Sequence, residues 1–206
     1  MKEFPAKRNP SNFEIEALRE TFKKDRRPTP EELANFVVTK EHWDAALRLY
    51  HRDHQWMIVA AAKSRDRAVS HRGFKVGASA IGIEPNLPPG EPVLYYSSNF
   101  KLFPGEVKGK DKRCAERNVL DAAWGQAKVI VALVTVSKEI HTGDLAKSHD
   151  VIHPCQDCRD MFRKYLAEGF MREDSIICNV NDATEEFKKI EERTLKDLLD
   201  LYSDDT

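Results

Sequence analysis

From Trp56 onward, apolar and polar residues alternate between helical and strand spacing. "WMIVAAAKSRDRAV" places its apolar and small residues at helical intervals and predicts a helix. "FKVGASAIGI" then alternates and carries small residues, as a strand with close backbone neighbours does. "PNLPPGEP" is a turn and "VLYYSSN" a second strand, so the pair predicts a hairpin. A polar loop, "FKLFPGEVKGKDK", leads into a helix from Cys114 to about Gln126. "KVIVALVTVS" is β-branched and nearly continuous in apolar residues, the pattern of a central strand covered on both faces. After the polar "KEIHTGDLAKSHD", "HPCQDCRDMFRKYLAEG" starts with Pro154 and ends in Gly169, the punctuation of a helix. "SIICNV" reads as another strand, and "EEFKKIEERTLKDLLDLY" closes the chain with helical periodicity. Together these elements predict an α/β fold, a three-layer α/β/α sandwich.

Upstream the pattern is weaker. The first ~28 residues are charged and carry Pro5, Pro10 and Pro28, with a short helix suggested only by "NFEIEALRETF". "TPEELANFVVTKEHWDAALRLYH" opens with Thr29 as an N-cap, Pro30 at the first helical position, and Glu31 and Glu32 in the first turn. Residues 1–55 are therefore read as a helical extension packed on a core domain of residues 56–206. There is no internal repeat and no low-complexity segment.

Composition narrows the classes. Hydrophobic residues make up 41% and charged residues 33% of the chain, a globular balance. The formal charge of −1 argues against nucleic acid as a partner and against attraction to anionic membranes. No apolar run reaches membrane-spanning length, and the first residues lack an apolar signal core. Four cysteines do not make a secreted disulfide scaffold. The expected location is cytoplasmic, where a close Cys-x-x-Cys pair points to metal or redox chemistry.

Three of the four cysteines sit at predicted helix starts: Cys114 on one helix, Cys155 and Cys158 on another. Residues i and i+3 share a helix face, so Cys155 and Cys158 can grip one ion. The helix N-terminus favours the thiolate form that a metal requires. Three soft thiolates suit one zinc ion, and three protein ligands leave a fourth tetrahedral position for water. Cys178, in the middle of "SIICNV", reads as a buried apolar residue. Arg117, one turn past Cys114, is placed to donate to the sulfurs and temper their charge. Glu116 reaches a metal-bound water if its helix points end-on at the ion, and there it can serve as general base and acid.

"CAER" followed by "HPCQDC" resembles the signature of the zinc-dependent cytidine deaminase superfamily: a ligand, a residue, a Glu, then Pro-Cys-x-x-Cys. "FKVGASAIG" is similar to that family's first strand. The likeness runs from roughly residue 56 to 182 and is nearest to the all-cysteine cytidine deaminases and the blasticidin S deaminases. It implies a hydrolase that converts a cytosine-type amino group to a carbonyl and releases ammonia. It implies that Cys114, Cys155 and Cys158 hold zinc and that Glu116 shuttles protons. Phe74 would contact the pyrimidine ring, Asn99 a substrate hydroxyl, and the backbone N–H of Ala115 the base. The substrate would be a nucleoside, nucleotide or nucleoside antibiotic, and the enzyme a dimer or tetramer.

One departure bears on the substrate. Where related nucleoside deaminases read Asn-x-Glu, this chain has "NFK", with Lys101 in place of a ribose-binding carboxylate. Lys108, Lys110, Lys112 and Arg113 follow in the same loop, a natural place to hold a phosphate or other acidic group on a substrate. The polar insert around "HTGDLAKSHD" would form a lid or an oligomer contact. Two other readings stand beside this one: a nucleic-acid editing deaminase, and a structural zinc protein without catalysis. The latter requires a fourth protein ligand, from Cys178 or a histidine.

Overall fold

The structure, a computed structural model, describes residues 27–70, 75–85, 87, 91–101, 114–137, 151–182 and 189–203. Helix α1 (Pro30–Asn35) starts with the predicted cap. Thr29 N donates to Glu32 Oε2 at 2.6 Å, and Glu32 N donates to Thr29 Oγ1 at 3.2 Å, a reciprocal capping box. The extended residues Phe36 to Thr39 then break the helical stretch, because Val37, Val38 and Thr39 are β-branched and Thr39 caps a new helix. Helix α2 (Lys40–Asp66) runs without interruption past Trp56, since nothing in "LRLYHRDHQWMIV" stops it. It buries Trp43, Ala46, Tyr50, Met57, Ile58 and Ala61 along one face.

The chain continues through β1 (Val69–Ser70), β2 (Val76–Ile83), β3 (Val93–Ser98), β4 (Phe100–Lys101), α3 (Ala115–Ala123) and β5 (Val129–Ser137). It ends with α4 (Gln156–Ala167), β6 (Met171–Asn181), β7 (Lys189–Thr194) and α5 (Leu195–Asp200). Five strands form one sheet in the order β3-β2-β5-β6-β7. The β5–β6 pair is parallel, while the β2–β3, β2–β5 and β6–β7 pairs are antiparallel. β1 and β4 make a separate two-residue parallel pair. The predicted hairpin is thus β2–β3, and "KVIVALVTVS" is the middle strand, buried at every position.

Two apolar layers sandwich the sheet. On one face Trp43, Tyr50, Met57 and Ile58 of α2 meet Ile81, Val131, Val134 and Val180. On the other Val119 and Leu120 of α3, Phe162 of α4 and Leu198 of α5 meet Ala80, Leu133 and Ile177. The expected three-layer α/β/α sandwich is what forms. α2 lies so close to the sheet that a Cβ on Gly77 would stand 1.8 Å from the Ala61 carbonyl oxygen. Ser79 Oγ donates to the Met57 carbonyl at 2.8 Å across the same contact.

The C-terminal segment corrects the sequence reading. "EEFKKIEERTLKDLLDLY" was expected to be helical, yet residues 189–194 are the edge strand β7, and among its described residues only Leu195–Asp200 is helical. Helical spacing of Ile190, Leu195 and Leu198 competes with open backbone groups along β6, and the ladder wins. Lys189, Glu191, Glu192 and Arg193 suit a strand whose outer edge meets solvent, because charge discourages pairing with another chain. Tyr50 OH donates to Glu192 Oε2 at 2.6 Å, a tie between α2 and β7 that no local pattern encodes. Thr194 then caps α5, accepting from Asp197 N at 3.1 Å.

Because the Gly77 contact is backbone on backbone, neither side can yield by a rotamer change. Gly77→Ala should destabilise the protein by about 3 kcal/mol or more, measured by denaturant unfolding.

Candidate metal centre

Cys114 and Cys155 occupy matching positions. Each is the N-cap of its helix, Cys114 of α3 and Cys155 of α4, with extended backbone at φ −67°, ψ 151° and φ −66°, ψ 167°. An N-cap is usually a Ser, Thr, Asp or Asn whose oxygen accepts a first-turn N–H. Neither thiol makes such a bond, so both sulfurs are left to point elsewhere. Cys158 stands three residues into α4, the position whose side chain meets the cap in a capping box.

Tertiary packing brings the helix starts together. Val119, Leu120 and Ala123 of α3 share one core with Met161, Phe162 and Tyr165 of α4. Asn118 Nδ2 donates to the Ser98 carbonyl at 2.7 Å and ties the first turn of α3 to the end of β3. The Sγ atoms of Cys114 and Cys155 lie 3.7 Å apart, and those of Cys155 and Cys158 lie 3.6 Å apart. A tetrahedral ion with Zn–S bonds of about 2.3 Å spaces its sulfurs about 3.8 Å apart, so these separations fit zinc. Among the described residues this trio is the one group of Cys, His, Asp and Glu side chains with metal-ligating spacing.

The electrostatics also favour a cation. The hydrogen bond with Cys155, then burial and the Glu116 charge, push the Cys114 thiol upward, with partial relief from Cys158. Hydrogen bonds with Cys114 and Cys155, burial and the same carboxylate push Cys158 upward as well. A bare cluster therefore holds protons that a divalent ion would displace.

Glu116 is 6% exposed, and its charge acts on both Cys114 and Cys158. Two residues apart on a regular helix, Cys114 and Glu116 would face different ways. The extended backbone at Cys114 removes that restriction, and both side chains serve the same helix end. Ala115, the first helical residue, is fully buried.

The other expected site residues differ in how far they are brought to this centre. Arg117 is half-buried and lines a groove of about 500 Å³ between α3 and α4 with Asp121, Asp157, Asp160 and Lys164. Its positive charge acts on Tyr165, and among the described residues no hydrogen bond joins its guanidinium to a cysteine sulfur. Asn99 is buried, and its Oδ1 accepts from Val76 N at 2.9 Å, so this oxygen is committed to holding β2. Lys101 pairs with Ser70 in the short β1–β4 ladder, and its side chain lies outside the described residues. Phe74, the basic loop at 102–113 and the insert at 138–150 also lie outside them.

The positions proposed for a fourth protein ligand do not converge on the trio. Cys178 is buried on the opposite face of the sheet, beside Tyr50. His153 turns toward the C-terminal elements, with Nδ1 2.7 Å from Tyr202 OH and Nε2 3.5 Å from Glu191 Oε2. His141 and His149 lie outside the described residues. Sequence reasoning missed Asn118, although an Asn inside a helix signals a tertiary hydrogen bond.

Cys155→Ser should lose zinc by elemental analysis, while Cys178→Ser should retain it. Zinc uptake near neutral pH should release protons, since the raised Cys114 and Cys158 thiols are protonated until the ion arrives. Calorimetry in buffers of different ionisation enthalpy measures that release.

No protein-family model matches the chain, and no curated protein matches it. Among solved structures it is similar to the cytidine deaminase from Burkholderia pseudomallei at 21% identity and a TM-score of 0.49, over 70% of this chain and 94% of that one. It is similar to the cytidine deaminase from Mycobacterium tuberculosis at 22% identity and a TM-score of 0.43, over 71% of this chain and 94% of that one. A third similar structure, the cytidine deaminase from Mycobacterium leprae, has 18% identity and a TM-score of 0.44, over 71% of this chain and 97% of that one.

Proposed function

We propose that this protein is a zinc-dependent hydrolytic deaminase of a cytosine-type ring. The observation that carries the reading is the joint placement of three sulfurs and a buried carboxylate at two converging helix N-termini. A structural zinc site is normally closed by four protein ligands, and the placements of Cys178 and His153 speak against closure here.

Cys114, Cys155 and Cys158 would hold the ion, one per chain. Zinc bound there supplies Lewis acidity and lowers the pKa of water. Glu116, at the same helix end, would accept a proton from the attacking water on a carboxylate oxygen and pass protons to the ring nitrogen and the departing amine. The water oxygen bonds to the ring carbon carrying the amino group, the C–N bond breaks, and ammonia leaves. Burial of Glu116 excludes bulk water from the proton path. Arg117, with no hydrogen bond to a sulfur among the described residues, would offset the charge of three thiolates through space from the side of α3.

Phe74 against the ring, the Ala115 N–H toward the base, Asn99 on a hydroxyl and Lys101 toward an acidic group complete the proposed substrate contacts. The substrate class is a nucleoside, nucleotide or nucleoside antibiotic, taken up by a cytoplasmic dimer or tetramer whose 1–55 segment packs on the 56–206 domain. Sedimentation of the purified chain measures the assembly, and a monomer at working concentration contradicts it.

Glu116→Gln should retain zinc and lose at least about 10³-fold in ammonia release, since general acid–base catalysis contributes on that order. Ammonia assays with cytidine, deoxycytidine, their monophosphates, blasticidin S and single-stranded DNA or RNA identify the substrate. Turnover of a polynucleotide alone would replace the small-molecule reading with the editing one. Zinc without turnover of any of these would favour the structural one.

A further inference from the structure

The sheet face that shares its core with Cys158 and Ala115 carries two buried oxygen atoms that no group among the described residues satisfies. Leu133 on β5 and Ile177 on β6 are register partners and belong to the core that contains Cys158 and Ala115. Two residues further along, Thr135 and Asn179 are register partners too, and the twofold period of a strand turns them to the same face. Each is 2% exposed, and among the described residues neither Thr135 Oγ1 nor Asn179 Oδ1 has a hydrogen-bond partner. Leaving such atoms unmet opposes folding, so a pair of them in adjacent register calls for a shared guest.

Their chemistry names the guest. The Thr135 hydroxyl can donate, and the Asn179 carbonyl oxygen can only accept. Neighbouring strands lie about 4.8 Å apart, a span that one small molecule with both a donor and an acceptor can bridge. A water has both, and buried waters occupy polar sites of this kind.

Its position gives it a role. β5 and β6 are parallel, so the chain crosses between them through α4, whose Cys158 and Phe162 share a core with Leu133 and Ile177, the neighbours of Thr135 and Asn179 on this face. The first turn of α4 carries Cys155 and Cys158. That turn has backbone N–H groups without intrahelical partners, and Cys155 caps none of them with its side chain. A water held below can accept from such a group while serving Thr135 and Asn179.

We propose that Thr135 and Asn179 jointly hold a buried water beneath the first turn of α4, and that this water sets the position of Cys155 and Cys158. Both are positioning residues for the metal centre, and the inference rests on the reading of the cysteine trio as a zinc site.

The test compares Thr135→Val, Asn179→Leu, the double variant and Thr135→Ser in the full-length protein. Zinc affinity is measured by competition with a chromophoric chelator. Each single apolar variant should weaken zinc about 10-fold, the low end for outer-shell groups. The double variant should lose no more than the worse single, because either change alone removes the bridge. Thr135→Ser keeps the hydroxyl and should keep near-native affinity. Unchanged affinity in Thr135→Val, additive losses, or an equal loss in Thr135→Ser would each overturn the proposal.

A high-resolution crystal structure gives a readout independent of the metal, and a variant that does not fold leaves it intact. A water within hydrogen-bonding distance of both oxygens is expected; direct contact of Thr135 with Asn179, or an empty space, refutes it. If the parent protein binds no zinc, the metal-site reading itself fails, and the crystallographic result still decides the water.

Discussion

Three sulfur atoms spaced 3.6 and 3.7 Å apart cannot all carry negative charge without a cation among them, and this constraint organises the molecule. Assembling them requires two helices to end at one point, each with a cap that spends nothing on its own backbone. An ordinary Ser or Asp cap would stabilise either helix by about 1 kcal/mol. Cysteine gives up that contribution locally, and binding free energy of a metal held by the trio would replace it globally. Helix stability and metal binding would thereby be linked.

The sheet supplies the platform for this convergence. β5, buried along its whole length, lies between the antiparallel β2 on one side and the parallel β6 on the other. The one parallel pair of this sheet requires a crossover, and that crossover includes α4, which packs on the same face as Leu133 and Ile177. α3 arrives at the same region because Asn118 bonds to the end of β3 and Asn99 bonds across to β2. The far face is sealed by α2, held against β2 at a distance only a glycine permits. One layer is therefore devoted to rigidity and the other carries the cysteine trio.

Most of the architecture was legible because its signals are local. Thr29 with Glu32, Pro154 with Gly169, and the unbroken "KVIVALVTVS" each predict an element from a few adjacent residues. The failures share a cause. Residues 189–194 have helical spacing yet become a strand, because β6 presents an open edge that no window of sequence reveals. Likewise Asn99 and Asn118 are ordinary polar residues until the fold shows which carbonyl or amide each one meets.

By itself, the sequence determined the candidate donor set and its spacing: three cysteines at helix starts, a glutamate two residues after the first, and strands and helices in sandwich order. These follow from residue chemistry and from short-range periodicity. Only the tertiary structure decided that Cys114 comes within 3.7 Å of Cys155, a residue of another helix, and that Cys178 is shut away behind the sheet. It also decided that Thr135 and Asn179 are register partners on adjacent strands. Distances between elements are set by packing of side chains remote in the chain, and no local pattern carries that information.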